Sequence, residues 1–301
     1  MVHAVPAARG PLVHTGSMRA CVVGSTNVDL VVCVPHLPVP GATVLATSSR
    51  REAGGKGANQ ASALAWLGAD VDFVSAVGDD DDGVWSLAQL ASAGVDTSQV
   101  LRSTHAATGQ AVVMVDPGGE NAIVVSAGAN ALVTAPGAID AEVVLLTLEV
   151  PLAAVTQTAL LAADRGVPVV LNAAPAQDLP AELLSAVSVL VVNEQEWAAL
   201  GGNAHRLFAG GPFAVVVTLG SAGCRIVEAS GERVLPAERV DVVDTTGAGD
   251  CFAAALAFGT GRGWPLERSC RLALAAGATS VTHAGARGGH SALHELGAPP
   301  G

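Results

Sequence analysis

The chain has 301 residues, half of them hydrophobic and only 14% charged, which is enough apolar material to bury a large core as one large or two small domains. Its formal charge of −12 excludes a partner that presents a phosphate backbone, so anionic ligands must be held locally by glycines, helix ends or a metal. No apolar run reaches the length of a membrane span, and the five cysteines, odd in number and without CxxC spacing, read as reduced core residues of a cytoplasmic protein.

Residues 1–17 are rich in Ala, Pro and Gly and lack a basic region followed by a long apolar stretch. They read as a flexible extension ahead of a domain spanning 18–301. Arg19–Gly24 is a short apolar run ending in Gly, hence a buried strand. Val28–Val34 is a second extended run, and Thr43–Arg51 is polar and β-prone. Together with 111–126, where Pro117-Gly118-Gly119-Glu120-Asn121 reads as a hairpin turn, these segments predict a small sheet standing off the main body. A helix is expected from the Gly-rich segment 54–59 to about Leu67, a strand over Val71–Val77 and a helix over Gly83–Ala93. The acidic run Asp79–Asp82 reads as a solvated turn.

From about residue 140 strand and helix alternate. Strands are predicted at Val143–Leu148, Val167–Leu171, Val187–Val192, Ala214–Leu219 and Cys224–Glu228, and helices from Asp250 and over Leu266–His283. This is an α/β body with a doubly wound, mostly parallel sheet flanked by helices.

The segment Asp244-Thr245-Thr246-Gly247-Ala248-Gly249-Asp250 says most about chemistry. A Gly-rich turn opens an apolar helix, and free N–H groups at a helix start attract phosphate oxygens. A carboxylate there opposes phosphate binding unless Asp250 is a general base taking a proton from a hydroxyl during phosphoryl transfer. An ordinary loop with an N-capping Asp reads equally well from this segment alone.

Other segments carry weaker signals. Asn27 and Asp29 alternate past the first strand and face one way, as the vicinal hydroxyls of a sugar require, or as an Asx-turn would. Gly55, Lys56 and Asn59 open a helix without the Ser or Thr of a Walker A loop. Glu149 ends an apolar strand, where ligands gather in open α/β sheets. Asn193 and Glu196 suit either a water-mediated magnesium site or a capping box. Thr218-Leu219-Gly220-Ser221-Ala222-Gly223 suits nucleotide phosphates or a tight hairpin. His290 and His294 lack a third ligand for zinc.

Taken in order, GSTNVD from Gly24, PGATV from Pro40, GGKGANQA from Gly54, SAGAN from Ser126, TLE from Thr147, NAAPA from Asn172, NEQE from Asn193, TLGSAG from Thr218 and DTTGAGD from Asp244 resemble the ribokinase/PfkB family of carbohydrate kinases. The likeness spans about Arg19 to Gly289. It implies a ribokinase-like fold with a β-sheet lid and transfer of phosphate from ATP to D-ribose. It implies Asp250 as base, with Gly247, Ala248 and Gly249 as the anion hole. Asn27, Asp29, Gly55, Lys56, Asn59 and Glu149 would bind the sugar. Asn193, Thr218, Gly220, Ser221, Gly223, Gly249 and Leu274 would serve ATP, with Glu196 organising Mg2+. Leu274 stands where the family has a His, and the stretch 201–211 is short. A K+ site would fall to Asp244, Thr246, Ser280, His283, Gly285 and Gly289, the last in place of a family Ser. A homodimer through the lid is implied as well. The scarcity of aromatic residues, 3% of the chain and none in 28–34 or 43–51, favours a free sugar over a nucleoside.

Overall fold

The structure, a computed structural model, describes residues 17–202, 208 and 211–297. The expected extension lies, apart from Ser17, outside the described residues, as does most of the short 201–211 stretch. Ten strands form the main sheet: β1 (Met18–Val23), β4 (Ala69–Gly78), β5 (Val95–Asp96), β6 (Val100–Ser103), β9 (Val143–Thr147), β10 (Val169–Asn172), β11 (Val189–Asn193), β12 (Ala214–Thr218), β13 (Cys224–Glu228) and β14 (Gly231–Leu235). Its order is β14-β13-β12-β11-β10-β9-β1-β4-β5, with β6 also pairing β4. All neighbours run parallel except at the β12-β13-β14 end.

The central strands are apolar on both faces, as a sheet covered on both sides demands. Met18, Ala20 and Val22 of β1 point to one core, and Cys21 and Val23 to the other. The first core is closed by α1 (Lys56–Trp66), α6 (Ala248–Gly261) and α7 (Leu266–Val281). The second is closed chiefly by α3 (Leu152–Asp164) and α4 (Ala181–Ala186). Two further helices, α2 (Asp81–Ser92) and α5 (Glu194–Ala199), stand nearer the edges. The five cysteines are free, four of them buried.

A separate four-stranded sheet has the order β3-β2-β7-β8, from β2 (Asn27–Cys33), β3 (Ser48–Gly54), β7 (Gly109–Val115) and β8 (Asn121–Ser126). This is the expected lid, with one correction. The third segment is Ser48–Gly54 rather than Thr43–Arg51, because it pairs residue for residue with β2, from Cys33↔Ser48 to Asn27↔Gly54. The acidic run is also corrected. Asp80 caps α2, its side chain accepting the Gly83 N–H at 2.8 Å and the Thr108 N–H at 2.9 Å, so the run starts a helix rather than forming a solvated turn.

Candidate active site

The carboxyl ends of β1, β9 and β12 open towards the lid, and each delivers part of the site. Two cavities result. One, of about 560 Å³, is lined by Thr218, Gly220, Ser221 and Gly223 after β12 and by Phe252, Leu274, Gly277 and Ala278 on α6 and α7. The other, of about 640 Å³, lies under the lid and is lined by Asn27, Asp29, Gly55, Lys56, Asn59, Glu149 and Asp250. Thr245 and Val242 line both, while Ala248 and Gly249 face the first and Gly247 and Asp250 the second. The two cavities therefore meet at the start of α6.

That start is built by a left-handed N-cap. Gly247 has φ 77°, and a Cβ there would lie 2.5 Å from the Ala286 carbonyl oxygen. The first amides of a helix have no intrahelical acceptor. The Ala248 N–H reaches the Thr245 carbonyl at 3.3 Å, and the Gly249 and Asp250 amides sit beside it at the cavity junction.

Asp250 is 6% exposed. Its Oδ2 accepts from Asn59 Nδ2 at 3.0 Å and its Oδ1 from Gln60 Nε2 at 2.9 Å, so α1 grips both oxygens. Lys56 begins α1, and its ammonium is held above its ordinary range by Asp250 foremost, against the effect of burial, with help from Glu149, Glu196 and Asp29. Glu149 Oε2 accepts the Ser25 hydroxyl and the Lys56 N–H, the latter at 3.1 Å, which puts a carboxylate at the positive end of α1.

Asn27 and Asp29 project to one side of β2, as alternation requires. Asn27 Oδ1 accepts from Asn130 Nδ2 at 2.8 Å, and Asn130 also grips the Thr26 backbone at 2.8 and 3.1 Å. Asp29 Oδ1 is buried with no partner among the described residues. Burial first, then the neighbouring Glu149 and Glu52 carboxylates, push Asp29 up to about 6. A Cβ at Gly54 would run into the Asp29 carboxylate, so β3 must carry a glycine where it meets the cavity-lining end of β2.

Asp244 and Thr246 line the second cavity, and the remaining residues fall beside the two. Asn193 is in register with Thr218, but its side chain and that of Glu196 form a reciprocal capping box at 2.7 and 2.8 Å, and neither lines a cavity. Burial raises the Glu196 carboxyl against the Asn193 N–H and Lys56. Asp244 accepts from the Thr246 N–H and hydroxyl at 2.9 and 2.7 Å and from the Gly285 N–H at 2.9 Å. Burial works to raise its carboxyl, but these bonds and Arg50 hold it below the ordinary range. A Cβ at Gly289 would lie 3.0 Å from Ser280 Cα and 3.2 Å from His283 Nδ1, so the family serine has little room here. His290 is buried, with Nδ1 2.9 Å from the Ser62 hydroxyl.

Three residues of the site carried no expectation of a role. Asn130 and Gln60 lie inside recognised motifs, and a buried amide next to a polar motif is a signal that points to them. Arg287 had no such signal, because it stands outside every motif of the sequence. Its Nε donates to Asn59 Oδ1 at 2.8 Å and its Nη2 to the Gly54 carbonyl at 3.1 Å. Burial pulls its guanidinium down to about 10, and Asp250 and Asp29 oppose that.

The sequence model of the pfkB family of carbohydrate kinases matches residues 18–292. The chain is 38% identical over 288 residues to the ribokinase of Bacillus subtilis, covering 92% of this chain and 97% of that one. It is 37% identical over 258 residues to the bifunctional ribokinase/ribose-5-phosphate isomerase A of Fructilactobacillus sanfranciscensis, covering 79% of this chain but spanning only 48% of that protein. The fold superposes on Arabidopsis thaliana ribokinase complexed with ribose and ATP with a TM-score of 0.83 at 32% identity, covering 93% of this chain and 99% of that one. By sequence and by fold, the chain belongs to the pfkB family of carbohydrate kinases.

Proposed function

We propose that the protein transfers the terminal phosphoryl group of ATP to D-ribose, giving ribose 5-phosphate, with Asp250 as general base. The observation that carries this reading is the meeting of two cavities at one helix start, with Asp250 facing the polar one. ATP in the first cavity would lay its adenine on Leu274 and Phe252, and its phosphates along Gly220, Ser221, Gly223 and the α6 amides. Ribose under the lid would meet Asn27, Asp29, Gly55, Lys56, Asn59 and Glu149. Asp250 takes the proton of the terminal hydroxyl, the freed oxygen forms its bond to the γ-phosphorus, and the bond from that phosphorus to the β–γ bridging oxygen breaks as ADP leaves. Gly247, Ala248 and Gly249 offer backbone to the charge on the transferring group.

The donor sets fit the ions the family implies. Among the described residues no group of three or more His, Cys, Asp or Glu side chains could hold a metal alone. Magnesium, which keeps waters and phosphate oxygens, would therefore ride on the nucleotide with Glu196 reached through water. When bound, it neutralises charge on the phosphates. For potassium, Asp244 and the carbonyls of Thr246, Ser280 and His283 supply oxygen donors, with Gly285 and Gly289 shaping the loop. Gly289 contributes no side-chain ligand. The contact of Gly247 with Ala286 joins that loop to the anion hole. No described helix is long and apolar enough to cross a membrane. A cytoplasmic homodimer, paired through the lids and without a nucleic-acid or membrane partner, completes the reading.

The second cavity has no aromatic lining to stack a base. A site built to pair hydroxyls discriminates by up to about four decades against analogues that leave its polar groups unpaired. ADP release should therefore be faster with D-ribose than with adenosine or cytidine at equal concentration, with 2-deoxyribose below ribose. Potassium should activate more than sodium. A nucleoside phosphorylated faster than ribose would overturn the sugar reading, and equal rates without potassium would remove the cation site.

A further inference from the structure

The loop 285–289 touches the site at three successive residues. The Gly285 N–H binds Asp244, the Ala286 backbone abuts Gly247, and Arg287 reaches Asn59. The first two contacts belong to the turn that opens α6. The third crosses to the other helix of the site, α1. Arg287 lines neither cavity.

Its effect falls on the Asn59 amide, which is 6% exposed. A guanidinium only donates hydrogen bonds and a carboxylate only accepts them. With Arg287 Nε on one side at 2.8 Å and Asp250 Oδ2 on the other at 3.0 Å, the amide has one satisfied orientation, Oδ1 to the cation and Nδ2 to the base. The flipped amide would face donor with donor and oxygen with oxygen. The second Arg287 bond, to the Gly54 carbonyl, keeps the guanidinium in place beside the turn that leads from β3 into α1.

We propose that Arg287 is a positioning residue for the transfer step and acts through Asn59. It locks the amide so that Nδ2 steadies Asp250 before the sugar arrives and is offered to the sugar hydroxyl once that hydroxyl occupies Asp250. This rests on Asp250 being the base, and the two can fail separately: Asp250→Asn tests the base alone, whereas the cycle below needs only an active parent enzyme.

The test is a double-mutant cycle of Arg287→Met and Asn59→Ala, measuring kcat and KM for ribose and for ATP, with melting curves to establish folding. Arg287→Met should lower kcat/KM for ribose by roughly ten- to a hundredfold, the worth of one charge-assisted hydrogen bond, and leave KM for ATP within about twofold. In the Asn59→Ala background the same change should cost no more than about twofold, because a residue that acts through another loses its effect with it. The full loss repeated in that background, or a loss below about twofold in the single variant, would overturn the proposal. If Arg287→Met does not fold, Arg287→Lys, which keeps the cation but lacks the Nε fork, goes through the same cycle under the same criteria.

Discussion

Asp250 is buried and Asp29 half-buried, and the two carboxylates have opposite surroundings. Asp250 has amide donors on both oxygens, whereas Asp29 has one oxygen with none. If the first is the proposed base, Asp250→Asn should lower kcat by roughly two to four decades while ATP binding survives, as checked by steady-state rates and nucleotide titration. A variant keeping over half of the parent kcat would remove Asp250 from that role. The second has an unpartnered oxygen that the proposed sugar hydroxyls would fill. Its folded value of about 6 lies above the ordinary 3.8, so between those pH values the folded state holds a proton that the unfolded chain has lost. Stability from this group is therefore lost as pH rises through that window, and above about pH 6 its charge stands beside the Glu149 and Glu52 carboxylates. Asp29→Asn should raise the melting temperature of the sugar-free enzyme at pH 8 and not at pH 4. In the parent enzyme kcat/KM for ribose should climb with pH through about 6, and this limb should vanish in the variant. An unchanged limb would assign it to another group.

At the scale of elements, the lid is tied to the body by α2. Arg51 of β3 pairs with Asp82 and lies over the Trp85 ring at 4.3 Å, and Gln110 of β7 donates to Asp82 at 2.9 Å. These groups are partly exposed, so each contact is worth little alone, but they fix the lid at two strands. Arg51→Ala should raise KM for ribose by about three- to tenfold through lost cation–π and ionic contact and leave kcat within about twofold. An unchanged KM would show that the lid closes without this tie. Much of the element order was legible because the central strands are unbroken Val and Leu runs and two site helices, α1 and α6, open on Gly-rich turns. Strands β5 and β6 were not, being only two and four residues long, and β14 was hidden by its charged Glu232 and Arg233. The ends of β3 could not be read from a polar segment whose limits are set by its partner. In the site, residues on strand ends and helix starts were legible from motif chemistry. The links among them were not, since the bonds Asn59–Arg287 and Gln60–Asp250 join segments about 190 to 230 residues apart, and spacing carries no trace of such pairing.

For the whole molecule, the lid divides its residues by alternation. Val31, Val113 and Ile123 form a row across the cavity side, while Leu30, Val112 and Val124 are in register on the other, 43%, 36% and 65% exposed. An apolar row of this kind suits a second copy. Val124→Asp should therefore give a monomer by sedimentation where the parent chain sediments as a dimer, and a parent chain that is itself monomeric would end the dimer reading. The division has an evolutionary consequence. Strand β2 presents Asp29 and Val31 to the cavity and Leu30 to the outside, so a single insertion or deletion within it would exchange the two sets. On the proposed reading, sugar preference and subunit association would form one heritable unit. A lineage derived from this chain could then change either by point substitution at alternate positions, but could not lengthen or shorten the strand between them without losing both.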